Sequence, residues 1–261
     1  MHCHGIPGSR LELSHLSDDL DTAGITLVVP DRPGYGDTTP HPEYGFEQHS
    51  DDLRRLADHL GLERFCVSGF SGGGVFAMAL AEAIGDRCAR LAIAATPAVP
   101  LMEAPFEHAS DLSAGAWQAA MDDSSALARD LRPLTLSADT MAQALLEAAG
   151  TSEARYLSRP PYAQGFAASL RAALTQGSDV AAAAIARDSA LIADRWPFSP
   201  HHLTLPVRVI HGTDDRLVYQ AHQDALVDHL PDAESCVVEN AGHYAVLDTL
   251  WTSRRQASAP T

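Results

Sequence analysis

The sequence predicts an α/β fold: a mostly parallel sheet with helices on both faces and an inserted helical layer. Three observations predict it. Over residues 1–96 short apolar runs alternate with amphipathic stretches. Over residues 97–200 no convincing strand occurs and the periodicity is helical. Over residues 201–261 the strand–helix alternation returns. Alternation of this kind gives a parallel sheet buried on both faces. Residues 1–96 and 201–261 are therefore expected to form one core, with residues 97–200 as a helical cap or lid. The length of 261 residues fits a single such domain with an insert, because α/β domains run to roughly 250 residues.

The elements follow in order. Residues 25–29 form an apolar run stopped by Pro30, read as a buried strand. Residues 44–60 read as a helix, with Phe46, Leu53, Leu56, Ala57 and Leu60 near 3.6-residue spacing and Gly61 ending it. Residues 64–68 are a second strand, broken by Gly69. Residues 71–84 are an apolar helix closed by Gly85, and residues 91–95 a third strand stopped at Thr96-Pro97. In the insert, residues 138–149 and 165–176 read as Ala-rich helices. Residues 179–193 do too, with Ser178 as N-cap. Then come a strand at 207–210, a helix at 220–229, a strand at 235–238 and a helix at 243–251. The polar tail, 253–261, is expected to be loose.

Composition removes whole function classes. Hydrophobic residues make up 46% and charged residues 20%, the balance of a globular chain rather than a disordered one. The 34 acidic and 18 basic residues leave a net charge of −16. Phosphate backbones and anionic membrane surfaces would repel it, so neither nucleic acid nor membrane is an expected partner. The chain contains no lysine, which excludes an internal Schiff base, a pyridoxal-phosphate anchor and a Walker-type phosphate loop. Cys3, Cys66, Cys88 and Cys236 form no C-x-x-C pair. They read as small buried hydrophobes in a reducing compartment. Residues 1–20 have no apolar signal-like core, and no window reaches the ~18 apolar residues of a membrane span. The expected location is cytoplasmic.

Chemistry concentrates at Gly69-Phe70-Ser71-Gly72-Gly73, a G-x-S-x-G between a strand and a helix. A serine on so sharp a turn needs small residues two before and two after it. The helix starting there aims free amides and its positive dipole end at the place where an oxyanion develops. A serine hydroxyl needs a base, and the base an orienting acid. The strand at 207–210 runs into Gly212-Thr213-Asp214-Asp215, and the strand at 235–238 into Gly242-His243. In a parallel sheet the carboxyl ends of strands share one edge, so Ser71, the aspartate pair and His243 can converge there.

These segments resemble the α/β-hydrolase superfamily over nearly the whole chain except the insert. His4-Gly5-Ile6-Pro7-Gly8-Ser9 is similar to its H-G-x-P-G-S oxyanion loop. Asp31-Arg32-Pro33-Gly34-Tyr35-Gly36, preceded by Pro30, resembles its turn after the fourth strand. Gly69 to Gly73 resembles the nucleophile elbow. The resemblance implies Ser71 as nucleophile, His243 as general base and then acid, and the amides of Ile6 and Gly72 as the oxyanion hole. It implies Asp215 as the orienting acid, three residues after Gly212, with Asp214 as the close competitor. No cofactor and no metal is called for. His2-Cys3-His4 is too contiguous to converge on an ion. Asp31 and Arg32 are read as a turn-locking ion pair, and His201-His202 as capping the junction between insert and sheet. Trp117, Tyr156, Tyr162, Phe166 and Trp196 are weighed as cap core against pocket lining.

The start departs from the family pattern. Only Met1-His2-Cys3 precede His4, where the family has a central strand preceded by two more. The missing strand would lie between residues 25–29 and 64–68. Its loss would leave buried backbone groups unpaired at ~1–3 kcal/mol each. The expectation is a chain whose first strands are truncated.

The expected activity is that of a serine hydrolase cleaving an ester, thioester or amide of a small, mostly apolar molecule through an acyl-enzyme. Two alternatives stand beside it. One is a proline iminopeptidase-like peptidase, although that loop has Gly where Ile6 stands and its elbow commonly Trp where Gly72 stands. The other is an inactive, truncated relative that only binds a ligand. Haloalkane dehalogenases and many epoxide hydrolases use Asp as nucleophile, against which Ser71 argues. The substrate itself and the oligomeric state are not legible.

Overall fold

A computed structural model describes residues 1–41 and 43–250. Five parallel strands form one sheet in the order β1-β2-β3-β4-β5: β1 His2–Cys3, β2 Phe65–Phe70, β3 Cys88–Ala94, β4 Val207–Gly212 and β5 Ala233–Val238. The helices in chain order are α1 Ser17–Thr22, α2 Phe46–His59, α3 Gly72–Ile84, α4 Asp111–Leu131, α5 Ala138–Ala149, α6 Thr151–Tyr156, α7 Pro160–Ala173, α8 Ser178–Ala193 and α9 Ala221–His229. The α/β prediction holds, with α4 to α8 inserted between β3 and β4 as a helical cap.

The central strands are buried because both faces are covered. Val67, Leu91, Ile93, Val207 and Val209 join one core with Val75, Phe76, Met78 and Leu80 of α3. On the opposite face Phe70, Ala94 and Ile210 pack with Leu13, Leu20 and Val246. α2 buries Phe46, Leu53 and Ala57, as its periodicity requires, while Leu60 beyond its end is 47% exposed.

β1 occupies the place where a strand had been expected to be missing. It pairs with β2 at His2↔Ser68 and Cys3↔Gly69. The Met1 ammonium donates to the Cys66 carbonyl at 2.7 Å and the Ser68 amide to the Met1 carbonyl at 2.9 Å. Residues 25–29 are not the regular strand expected of them. Their neighbour is only two residues long, and the His2 amide donating to the Val28 carbonyl at 2.8 Å ties them to it.

Other boundaries move for local reasons. β2 continues through Gly69, which stays paired with Ile93. α4 went unrecognised because it is broken inside: Asp123 is non-helical, and its carboxylate caps the second half by accepting the Ser125 and Ala126 amides at 2.9 and 3.0 Å. Ser178 is the first residue of α8, with Gly177 at the cap, and its hydroxyl donates to the Arg132 carbonyl at 2.9 Å instead. The last expected helix is a 3-10 turn, Ala245–Thr249. Trp251 and the tail at 253–261 lie outside the described residues. Cys3 and Cys88 are buried, but Cys66 is exposed and Cys236 half-buried, so the all-buried expectation fails for those two. Among the described residues, no helix is long and apolar enough to cross a membrane.

Candidate active site

Ser71 stands on the turn from β2 to α3 with φ 52° and ψ −132°. This is a conformation L-residues rarely hold unless the surroundings impose it. The glycines around it explain how it is imposed. A β-carbon at Gly69 would lie 2.4 Å from the Gly73 carbonyl oxygen, and one at Gly73 would lie 2.2 Å from the carbonyl oxygens of Cys3 and His4. One at Gly72 would lie 2.4 Å from Cδ1 of Ile6. The elbow is thus wedged against loop 4–9. Gly72, as the first residue of α3, has an amide with no intrahelical partner.

The two other loops zip together at the carboxyl ends of β4 and β5. The Thr213 amide donates to the Val238 carbonyl at 3.1 Å and the Asp214 amide to the Ala241 carbonyl at 2.9 Å. Gly212 has no room for a side chain, since a β-carbon there would lie 2.1 Å from the Ala241 oxygen. Asp215 Oδ1 accepts the Leu217 and Val218 amides at 2.9 and 3.0 Å. Its Oδ2 meets His243 Nδ1 at 2.8 Å. Asp214 faces elsewhere and accepts from the Ser152 hydroxyl at 2.7 Å. Of the competing pair, the geometry brings Asp215 to His243.

Both members of this pair are buried. Burial alone would lower the His243 pKa, but the Asp215 carboxylate and its hydrogen bond, aided by Glu153 and Glu12, hold it above the ordinary histidine value. Burial pushes the Asp215 carboxyl up, while His243, the hydrogen bond and His211 hold it below its ordinary value. His211, whose place in the sequence carries no sign of such a role, lies next to the pair, with Nε2 2.8 Å from the Val218 carbonyl and 3.5 Å from Asp215 Oδ2.

Loop 4–9 is held by charged side chains. Arg32 is buried and donates to the carbonyls of His4 and Gly5, the latter at 2.8 Å. Its Nε donates to Asp188 of α8 at 2.8 Å. Asp31 instead accepts from Arg10, from the backbone amide at 2.6 Å and from the side chain. The expected Asp31–Arg32 pair is therefore two separate bridges, because the adjacent side chains point to opposite sides of the turn. Glu12, a second residue missed in the sequence, accepts the Gly5 amide at 2.8 Å and meets His2 Nε2 at 2.9 Å. The ring nitrogens of His2 and His4 are taken up by Ser68, Glu12, the Gly5 carbonyl and the Arg32 amide. Among the described residues no group of three or more His, Cys, Asp or Glu is placed to hold a metal. His202 at the insert–sheet junction meets Glu82 at 2.9 Å.

Ser71, His243, Ile6 and Gly72 line one cavity of about 100 Å3. The cap supplies its apolar walls, among them Leu112, Trp117, Met141, Leu145, Ile185 and Ile192. Of the weighed aromatics, Trp117 lines this cavity. Tyr156, Tyr162 and Phe166 line a void of about 20 Å3 on the other side of Pro7. Trp196 is buried and stacks on Phe198 with centroids 5.3 Å apart. A larger hollow of about 860 Å3 lies between α2 and α8 and includes none of the predicted site residues.

Comparison with known proteins agrees with this architecture. Residues 1–250 match the family described as alpha/beta hydrolase fold. A bifunctional epoxide hydrolase 2 of Sus scrofa is 30% identical over 101 residues, covering 38% of this chain and 18% of that protein. An epoxide hydrolase A of Mycobacterium tuberculosis is 31% identical over 106 residues, 39% of this chain and 33% of that protein. The chain thus matches a third or less of the length of these curated relatives. Among solved structures, a thermophilic esterase from Thermogutta terrifontis superposes with a TM-score of 0.70 at 23% identity, covering 95% of this chain and 83% of the other.

Proposed function

The chain belongs to the alpha/beta hydrolase fold family, and from that membership we propose that it is a serine hydrolase cleaving an ester, thioester or amide of a small, mostly apolar molecule. The observation that carries this reading is the His243–Asp215 contact of 2.8 Å beside a cavity that Ser71 also lines. In the proposed reaction Ser71 attacks the acyl carbon while His243 takes its proton. Asp215 holds the imidazole in the tautomer that leaves Nε2 free to act as base. The amides of Gly72 and Ile6 stabilise the oxyanion. His243 returns the proton to the departing alcohol, thiol or amine. A water, deprotonated by the same imidazole, then releases the acid from Ser71.

Residues 97–200 act as the cap in this reading, and their apolar walls favour an uncharged acyl group. The epoxide hydrolase names belong to the relatives. A serine at the elbow favours acyl transfer here, since that family's epoxide-opening enzymes commonly place Asp there.

A fluorophosphonate probe is expected to label the folded protein once, on the peptide containing Ser71, and p-nitrophenyl butyrate to be hydrolysed. Mass spectrometry of the digest reads the adduct. A folded protein that is neither labelled nor active overturns the proposal.

The pH profile supplies an independent check. Protonated His243 cannot accept a proton, so kcat/KM falls as pH drops through its pKa. That pKa is raised, so the acid limb is expected above pH 6.5. Asp215→Asn removes the charge that raises it, and the limb of the residual activity should move to lower pH.

A further inference from the structure

The cap reaches the site through one turn of helix. Along α6, the Ser152 hydroxyl donates to Asp214 at 2.7 Å and the Tyr156 hydroxyl to Asp248 at 2.8 Å. Between them Glu153 accepts the backbone amide of Tyr244, the residue after His243, at 3.0 Å. These contacts fall on the loop of Asp215, the loop of His243 and the turn that follows. α6 spans six residues, too few to be stable alone, so its order comes from such contacts.

Glu153 is an expensive residue to place here. Its relative exposure is 0%, and Oε2 has no hydrogen-bond partner among the described residues. Burial, aided by Asp215, pushes its carboxyl up to about 7, against the downward pull of His243 and of the Tyr244 and Ala245 amides. A neutral side chain would avoid that desolvation. The His243 loop makes room for it: a β-carbon at Gly242 would lie 2.0 Å from Glu153 Oε1. The carboxylate thus sits where the loop before His243 is bare, and holds the amide after it.

We propose that Glu153 is a positioning residue, a hook from the cap that fixes the His243 backbone so that the imidazole stays aligned between Asp215 and Ser71. The proposal rests on His243 being the general base. It separates reach from charge. Glu153→Gln keeps the acceptor at the same reach. Glu153→Asp keeps the charge but withdraws the acceptor by one methylene.

With p-nitrophenyl butyrate, the Asp variant is expected to lose roughly 10–100-fold in kcat with KM changed by less than about twofold, as misplacement by about 1 Å does. The Gln variant should stay within about threefold of the parent kcat, because its Tyr244 hydrogen bond survives. An active Asp variant, an impaired Gln variant, or equal loss in both with both folded overturns the hook. If the Asp variant does not fold, hydrogen exchange of the Tyr244 amide in the parent decides. Protection like that of α3 supports the hook, and exchange at the rate of a free loop overturns it. Absence of a Ser71 adduct in the parent would instead sink the hydrolase reading, whereas a labelled parent with an active Asp variant sinks the hook alone.

Discussion

Ser71→Ala is expected to eliminate hydrolysis of p-nitrophenyl butyrate, lowering kcat by roughly 10⁶-fold, and to abolish fluorophosphonate labelling. The size follows from what is removed. In the proposed mechanism no other side chain becomes covalently bonded to the acyl carbon, and members of such a unit fail together rather than additively. The fold should survive. Ala must adopt the same φ of 52° that Ser adopts, so the strain at the turn is unchanged. The surrounding glycines still accommodate the turn, and the thermal midpoint should move by no more than a few degrees. Steady-state kinetics and a melting curve on the same preparation check both halves. Retained turnover in the variant would place the chemistry elsewhere.

Asp188→Ala is expected to cost about 3–5 kcal/mol of stability, because it leaves the buried Arg32 and the half-buried Arg187 without their counter-charge. Asp188 has 0% exposure and accepts from Arg32 Nε at 2.8 Å and from Arg187 at 2.9 and 2.6 Å. Arg32 is itself 2% exposed, stacked over Phe76 at 4.6 Å. Against a total of roughly 5–15 kcal/mol, such a loss is large. It should lower the melting temperature by about 6–20 °C for a chain of this size. Asp188→Asn keeps an acceptor and should lose less. The pH dependence has a definite sign. Burial pushes the Asp188 carboxyl up, but Arg187 and Arg32 hold it below its ordinary value of 3.8. Its contribution is therefore present above that value and is lost as pH falls below it. Chemical denaturation at neutral pH and near pH 3 checks the claim. A variant as stable as the parent would contradict it. Because Arg32 also holds the His4 and Gly5 carbonyls, activity in the Ala variant should fall as well.

What was legible in the sequence was what is encoded locally. The elbow glycines, the strand ends and the Ala-rich cap helices are set by neighbours a few residues away. Ser71, Asp215 and His243 could be proposed as one site because each follows a strand, and strand ends share an edge. What escaped depends on partners far along the chain. Glu12, Glu153 and Asp188 look like ordinary surface acids until the fold buries them against Gly5, Tyr244 and Arg32. The break in α4 hid in an Asp-Asp-Ser-Ser run that reads as a loop, although Asp123 caps a second helical segment there. Residues 25–29 carry a strand's composition, but two residues of β1 give them too short an edge to pair along. Asp31 and Arg32 look like partners in the sequence but bind Arg10 and Asp188 instead, because adjacency says nothing about which side of a turn each side chain takes.

The approach of Ile6 to Gly72 links two positions that sequence treats as independent. A β-carbon on residue 72 would fall 2.4 Å from the tip of the Ile6 side chain, so both compete for one small volume. The iminopeptidase pattern, with Gly at the first position and Trp at the second, is then the mirror image of this chain's Ile and Gly. Bulk has changed sides across a shared boundary. Bulk added at residue 72 meets Ile6 unless that side chain is shortened, so the order of exchange that avoids the clash passes through a variant small at both sites.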